Sequence, residues 1–323
     1  MKKTDRRSVL KAGLGGVAGL AAVPLLGGLA GCQQVASRQA PGSAAAGTRP
    51  GPLTIEKLTE RVTVVSGAPG NVVALGAEDG ILLVDSGAEN AARAVKAKLD
   101  GKVRTLFNTH YHPDQTGGNA LFGKDGATIH SHVITRQWLA ADYYVPADDR
   151  WVKALPKEAQ PTQTFRGKGE MKAGTERVEY GYLLEAHTRG DIYVYFRDSN
   201  VLAVGDVASP LRDPVLDWYS GGWLGGRVDA MDDLLKLAAD DTKIVPAYGA
   251  VMTKAQLQAE RDMMLKLFDR LTKLTTQGNS AQDMLESGAL NDIGRTFQDP
   301  YRFLYDVAKS NWAHYTNFGG NIV

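Results

Sequence analysis

The stretch NTHYHPDQTGGN, Asn108 to Asn119, sets two histidines, an aspartate and a glutamine within six residues, between an apolar run and a glycine pair. His110, His112 and Asp114 recur at every second position. In an extended segment that spacing aims all three side chains to one side, and Pro113 biases His112 toward extended backbone. Two imidazoles and a carboxylate on one face make half of a zinc site. A catalytic zinc takes three protein ligands and keeps a position for water, so at least one more ligand has to come from elsewhere in the chain.

Such a site needs a frame, and the pattern around it supplies one. From Leu53 short apolar runs alternate with turn residues: LTIEKL and RVTVVSG read as paired strands, then NVVALGA and GILLVDSG, with Gly-Asn and Asp-Gly as turn signals. AENAARAVKAKLD, residues 88–100, has helical spacing and a stop at Gly101. KVRTLFN is then a strand that runs straight into the histidines. HVITRQWLAADYY predicts a helical insertion and residues 146–161 a loop, with Trp138, Tyr143, Tyr144 and Trp151 available to line a surface. TERVEYGYLLEAH, DIYVYF and NVLAVGDV read as further strands, RVDAMDDLLKLAAD as an amphipathic helix, TKIVPAYG as a closing strand, and the remainder as a long helix with two shorter ones. Strand runs with helices interspersed in both halves predict a layered α/β domain.

THYHPDQTGGN resembles the THxHxDHxGG signature of the metallo-β-lactamase superfamily, and more of that family's motifs follow in register. VDSG (Val84 to Gly87), AHTRGD (Ala186 to Asp191), VLAVGDV ending in Gly205-Asp206-Val207, and PAYG (Pro246 to Gly249) are similar to its VDTG, AHTxGD, GD and PGHG segments. The resemblance covers roughly residues 53–255, and several ordered motifs are far more specific than one. It implies an α/β (α+β) fold, a four-layer αββα sandwich with a helical C-terminal extension over residues 256–323, and a metal-dependent hydrolase.

The residue roles come from the same resemblance. His110, His112 and His187 match the ligands of a first metal. Asp114 matches the second metal's carboxylate, which also orients or deprotonates the attacking water, and Asp206 a bridging carboxylate. Asp85 would stand behind the ligands and fix a histidine or the motif loop by hydrogen bonding. Gln115 and Tyr248 occupy positions where the family has histidines, and amide and phenol oxygens are poor zinc donors beside imidazole. The expectation is therefore one zinc ion at the three-histidine site, with Asp114, Gln115, Asp206 and Tyr248 forming a hydrogen-bonded pocket next to it. Zinc lowers the pKa of bound water to ~7 and polarises a carbonyl. Asp114 would shuttle the proton, and Tyr248 would donate a hydrogen bond to a developing oxyanion or leaving group or simply fill the lost ligand's space.

An ester, amide, lactone or lactam fits that chemistry. Two other readings stay open: an iron enzyme using His110, His187 and Asp206, as in the superfamily's sulfur dioxygenases, and an accessory lipoprotein of the same fold without turnover. His130 and His132 repeat the alternating spacing without an acidic neighbour and read as structural groups, and His314 as a packing residue of a terminal helix. DWYSGGWLGG, Asp217 to Gly226, is a weak candidate for a flexible lip.

The chain has 323 residues and a formal net charge of +1. Five basic residues and one acid in the first eleven positions contribute +4, which leaves −3 for the rest and no electrostatic footprint for nucleic acid. TDRRSVLK precedes an apolar, Gly- and Ala-rich run that ends in LAGC, Leu29 to Cys32. This resembles a twin-arginine export signal joined to a lipoprotein box over residues 1–32. Cys32, the single cysteine, stands where the lipid would attach, so no internal disulfide is available. Residues 33–52 read as a disordered tether. Export to the periplasm or cell surface, with a membrane anchor on Cys32 and a small-molecule substrate, is the resulting expectation.

Overall fold

The computed structural model describes residues 51–146 and 148–317. The twin-arginine segment, Cys32 and most of the tether lie outside the described residues. Strands β1 (Thr54–Lys57), β2 (Val62–Ser66), β3 (Val72–Ala77) and β4 (Gly80–Val84) form an antiparallel meander. Helix α1 (Ala92–Lys96) leads to β5 (Val103–Phe107), and α2 (Pro113–Thr116) and α3 (Asn119–Lys124) to β6 (Thr128–His132). Helix α4 (Val133–Leu139) and the hairpin β7 (Tyr143–Val145) with β8 (Arg150–Val152) precede β9 (Gln163–Phe165). β4, β5, β6 and β9 run parallel, which completes a seven-stranded sheet.

The second sheet has five strands, β10 (Gly169–Ala173), β11 (Glu176–Tyr182), β12 (Ile192–Phe196), β13 (Val201–Gly205) and β14 (Lys243–Pro246). Its first four are antiparallel, and β14 joins β13 in parallel through α5 (Leu224–Leu237). Helices α6 (Lys254–Thr276), α7 (Ala281–Glu286) and α8 (Pro300–Asn317) follow. Every residue of β12 and β13 is buried, the continuous apolar reading expected of strands covered on both faces.

Burial explains the layering. Val64, Leu75, Leu82 and Phe107 of the first sheet share one core with Val178, Val194, Phe196 and Ala203 of the second. Val95 of α1 and Phe122 of α3 cover the outer face of the first sheet against Leu83, Leu106 and Ile129. On the other side α5, α6, α7 and α8 bury Met231, Met264, Met284 and Leu304 with Leu202, Val204 and Ile244. The result is the helix, sheet, sheet, helix sandwich, and the C-terminal helices belong to its outer layer.

Three local expectations change. Over residues 88–100 the α-helix is confined to Ala92–Lys96, preceded by a 3-10 turn over Glu89–Ala91. The segment read as a helical insertion and loop holds a hairpin, because Tyr143, Tyr144 and Val145 favour a pleated strand and Asp142 ties both ends by accepting from Lys153 Nζ (2.7 Å) and Ala154 N (2.9 Å). Asp114 does not continue an extended run: His112 is extended (φ −65°, ψ 147°), but Pro113 starts α2, a position that suits proline because its missing N–H has no helical partner there.

Candidate metal centre

Chemistry collects where parallel strands end. Asp85 follows β4, the histidine motif follows β5, Asp206 follows β13, and Tyr248 lies two residues past β14. Carboxyl ends of strands are where open α/β sheets bind ligands.

The motif loop is held by a buried carboxylate. Asp85 accepts from Thr109 N (2.8 Å) and from Thr109 Oγ1 (2.7 Å), and its backbone sits at φ 62°, a conformation costly for a non-glycine residue. Burial pushes the Asp85 carboxyl up to about 8 against the pull of both hydrogen bonds. Gly205 packs on the other side of Thr109, where a Cβ would come within 2.8 Å of the threonine Cβ. The VDSG and GD segments thus clamp one threonine between them.

The three histidines meet edge to face, with ring centroids 4.7–4.9 Å apart and planes 81–89° from parallel. Each uses one ring nitrogen for an outer partner. His110 Nδ1 lies 3.1 Å from Thr109 Oγ1, His112 Nε2 lies 3.1 Å from Asp217 Oδ2, and His187 Nδ1 lies 2.8 Å from the Val215 carbonyl oxygen. The other nitrogens converge: one ligand atom from each histidine lies within 4.8 Å of the others, and His112 Nδ1 is 3.1 Å from His187 Nε2. Tetrahedral zinc, with Zn–N near ~2.05 Å, spaces its ligand nitrogens about 3.3 Å apart. His110 Nε2 is buried with no hydrogen-bond partner among the described residues, a costly state for a ring nitrogen that a metal ion would relieve. The three histidines therefore fit a zinc ion.

Electrostatics favour the neutral, ligating form in two of the three rings. Burial and the neighbouring rings of His187 and His112 hold His110 well below its ordinary pKa, and burial takes His187 down to about 3 despite the pull of Asp206. Both rings are neutral at pH 7, with a lone pair free for a metal. Burial also lowers His112, but the hydrogen bond and charge of Asp217 outweigh it and leave its pKa raised.

His187 is aimed by the aspartate of its own motif. Asp191 accepts from the backbone N–H of His187 and of Thr188, both at 2.7 Å, and from Thr188 Oγ1 at 2.8 Å. Arg227, fully buried, donates to the carbonyl oxygens of Val215 and Asp206, so the acceptor of His187 and the loop after β13 are held by one guanidinium.

Beside the histidines lie Asp206, Asp114 and Tyr248. Asp206 Oδ2 is 3.5 Å from His187 Nε2 and is hydrogen-bonded by Arg212. Burial alone would raise the Asp206 carboxyl, but the charge of Arg212 outweighs it and holds the group far below the usual carboxylate range. Tyr248 donates to Asp114 Oδ2, while Asp114 Oδ1 and both amide atoms of Gln115 are buried without partners among the described residues. Gln115 thus stands outside the hydrogen-bonded pocket expected of it. It packs against Gly70 (φ 102°), where a Cβ would sit 2.7 Å from its Nε2.

Asp217, Arg212 and Arg227 lie outside the sequence motifs, and only the fold brings them to the centre. Asp217 belongs to the segment read as a lip, which is instead packed: its Oδ2 also accepts from Tyr111, its backbone N–H bonds the His187 carbonyl (3.0 Å), and Trp223 stacks on His314 with centroids 3.5 Å apart. Asp217→Ala leaves the buried Tyr111 hydroxyl and the half-buried His112 Nε2 without this acceptor. Zinc affinity should fall ~10–100-fold, the usual effect of losing a ligand's supporting carboxylate; a competition titration with a chromophoric chelator measures it, and unchanged affinity would remove Asp217 from the centre. His130 packs on Phe107, and His132 stacks on Tyr182 while its Nδ1 accepts from Ile134 N at the start of α4.

A cleft of about 670 Å³ adjoins the centre through Tyr111 and Asp114. Trp138 and Tyr143 form its aromatic wall, with Tyr111 stacked on Trp138 (4.9 Å between centroids). Tyr144 and Trp151 pair instead on the exposed hairpin.

Two facing sheets with helical outer layers, and three histidines converging at the strand ends, define a metal-binding α/β sandwich. The profile of the Metallo-beta-lactamase superfamily matches residues 65–249, and this chain belongs to that superfamily. It is 22% identical over 227 residues to the Metallo-beta-lactamase type 2 of Bacillus sp. (strain 170), covering 66% of this chain and 83% of that one. It is 25% identical over 184 residues to the 2,4-dinitroanisole O-demethylase subunit alpha of Nocardioides sp. (strain JS1661), covering 53% and 52%. Among solved structures, a metallo-beta-lactamase from Pontibacter korlensis aligns with a TM-score of 0.54 and 18% identity over 66% of this chain and 99% of that one. The sec-alkylsulfatase Pisa1 from Pseudomonas sp. aligns with a TM-score of 0.58 and 15% identity over 83% and 50%. At such identities the structural likeness establishes the fold.

Proposed function

We propose that the chain is an exported hydrolase, anchored by a lipid on Cys32, that binds one zinc ion through His110, His112 and His187 and cleaves an ester, amide, lactone or lactam. The approach of three ring nitrogens to within 4.8 Å of one another, one of them buried without a partner among the described residues, carries the reading. Zinc in that position supplies a nucleophilic water at neutral pH and a Lewis acid for the carbonyl. Asp114 accepts the proton of the attacking water: Tyr248 occupies its Oδ2, and Oδ1 is left as the acceptor. Tyr248 keeps its own proton, because burial and the charge of Asp114 push its pKa far above the ordinary phenol value. The aromatic cleft beside Asp114 seats the apolar part of the substrate.

Asp206 argues against the iron reading. Its Oδ2 is taken by Arg212, whereas the third converging donor is the nitrogen of His112, and a three-imidazole set suits zinc. The relatives named above are a lactamase, a subunit of an O-demethylase and a sulfatase, so the fold leaves the substrate to experiment. The test is a panel of ester, lactone, amide and lactam substrates on the full chain isolated without added metal. Zinc in the protein and turnover of one class, lost on chelation and restored by zinc, is expected. Iron with oxygen consumption would overturn the proposal.

A further inference from the structure

We propose that the guanidinium of Arg212 takes the place of a second metal ion, neutralising the carboxylates that would bind it and excluding it from the site. The inference deepens the single-zinc reading and rests on it. Its basis is a convergence of contacts on one side chain. Arg212 Nη2 is hydrogen-bonded to Asp206 Oδ2 and lies 3.9 Å from Asp114 Oδ2. Arg212 Cζ sits 3.5 Å from the centroid of the Tyr248 ring, and Tyr248 in turn donates to Asp114. One cation therefore touches or faces both carboxylates and the tyrosine that stand at the second-metal positions.

The guanidinium cannot withdraw by losing its proton. A divalent ion on Asp206 Oδ2 would share that oxygen with a fixed positive charge, and Oδ1 already accepts from Ser209 Oγ (3.2 Å). The remaining donors, the Gln115 amide and the Tyr248 phenol, are too weak to compensate.

The arginine is also held in place. The Arg212 side chain is 20% exposed and stacks on Tyr248. Its carbonyl oxygen accepts from Arg295, which also donates to the Ser209 carbonyl at 2.7 Å. Glu260 of α6 accepts from Ser209 N at 2.6 Å, and Asp213 accepts from the backbone N–H of Gln298 and of Asp299 at 2.8 Å each. The C-terminal segment thus pins both ends of the short loop that carries Arg212. Beside the two positions where the family has histidines, the charge of the second ion is supplied by the protein itself.

The test is metal stoichiometry of the full chain, read by elemental analysis after titration with zinc(II) alone and by the visible bands of cobalt(II) between one and two equivalents. Wild type should bind one equivalent, Arg212→Lys one, and Arg212→Met two, with a second cobalt spectrum distinct from the first. Arg212→Gln, which removes the charge and keeps a hydrogen-bonding group, is held to the same outcome as Arg212→Met and replaces it where that variant does not fold by circular dichroism. One equivalent in a folded neutral variant would overturn the role of Arg212 and leave the single-zinc reading standing. Two equivalents in wild type would overturn both.

Discussion

Replacing His110 by alanine should give a folded chain that retains no zinc through purification and has no measurable hydrolysis above background. The imidazole is fully buried, and its Nε2 has no hydrogen-bond partner among the described residues. Three nitrogens are the minimum set of a catalytic zinc site. Losing one should cost more than the ~100-fold that marks the upper effect of losing a supporting group. With the ion goes several kcal/mol of transition-state stabilisation, on the order of 10³-fold or more in rate. The fold should persist, because His110 lies at the sandwich's edge and the apolar core between the sheets is untouched. Elemental analysis and a thermal scan on the same preparation check both parts. Zinc retained at the wild-type level would mean that the histidines do not form the site.

Asp114→Asn should do the opposite: keep the zinc and lose the rate. The amide preserves the shape and leaves an oxygen for Tyr248 but cannot accept a proton from water. Removal of a general base costs ~10²–10⁴-fold. The effect should appear in kcat with zinc content unchanged. Loss of zinc in Asp114→Asn would make Asp114 a ligand, and an unchanged kcat would move proton acceptance to another group.

Both predictions draw on residues legible in the sequence, and the reason is geometric. His110 and His112 lie in one short motif, and their motif neighbours turn out to be parts of the clamp. Asp85 and Gly205 hold Thr109 from two sides, and Asp191 folds the turn that presents His187. Such contacts recur because a few residues must stay at fixed distances, so they leave a pattern. The continuous apolar runs of β12 and β13 made the buried sheet equally readable.

What escaped the sequence lies outside the short motifs. Asp217 reaches His112 across 105 positions, and Arg227 reaches Val215 and Asp206 from the first turns of α5. Neither has a local spacing that sets it apart from an ordinary surface charge. Arg212 lies six residues past Asp206 between an exposed leucine and an aspartate, and only the fold turns it back onto that carboxylate. One signal was present: a chain that lacks two expected histidines yet keeps Asp114 and Asp206 has two buried carboxylates in need of a cation. The single turn of α2 was hidden for another reason, since alternation and helix start look alike around one proline.

Hydrolysis is proposed to depend on one zinc ion held by His110, His112 and His187. Zinc content and hydrolytic rate, measured together on the full chain as a chelator strips the metal and zinc is returned stepwise, test that dependence most directly. One equivalent per chain is expected, with a rate that rises in proportion to occupancy and stops at that equivalent. A rate that survives complete removal of metal, or that appears only as a second equivalent binds, would contradict it.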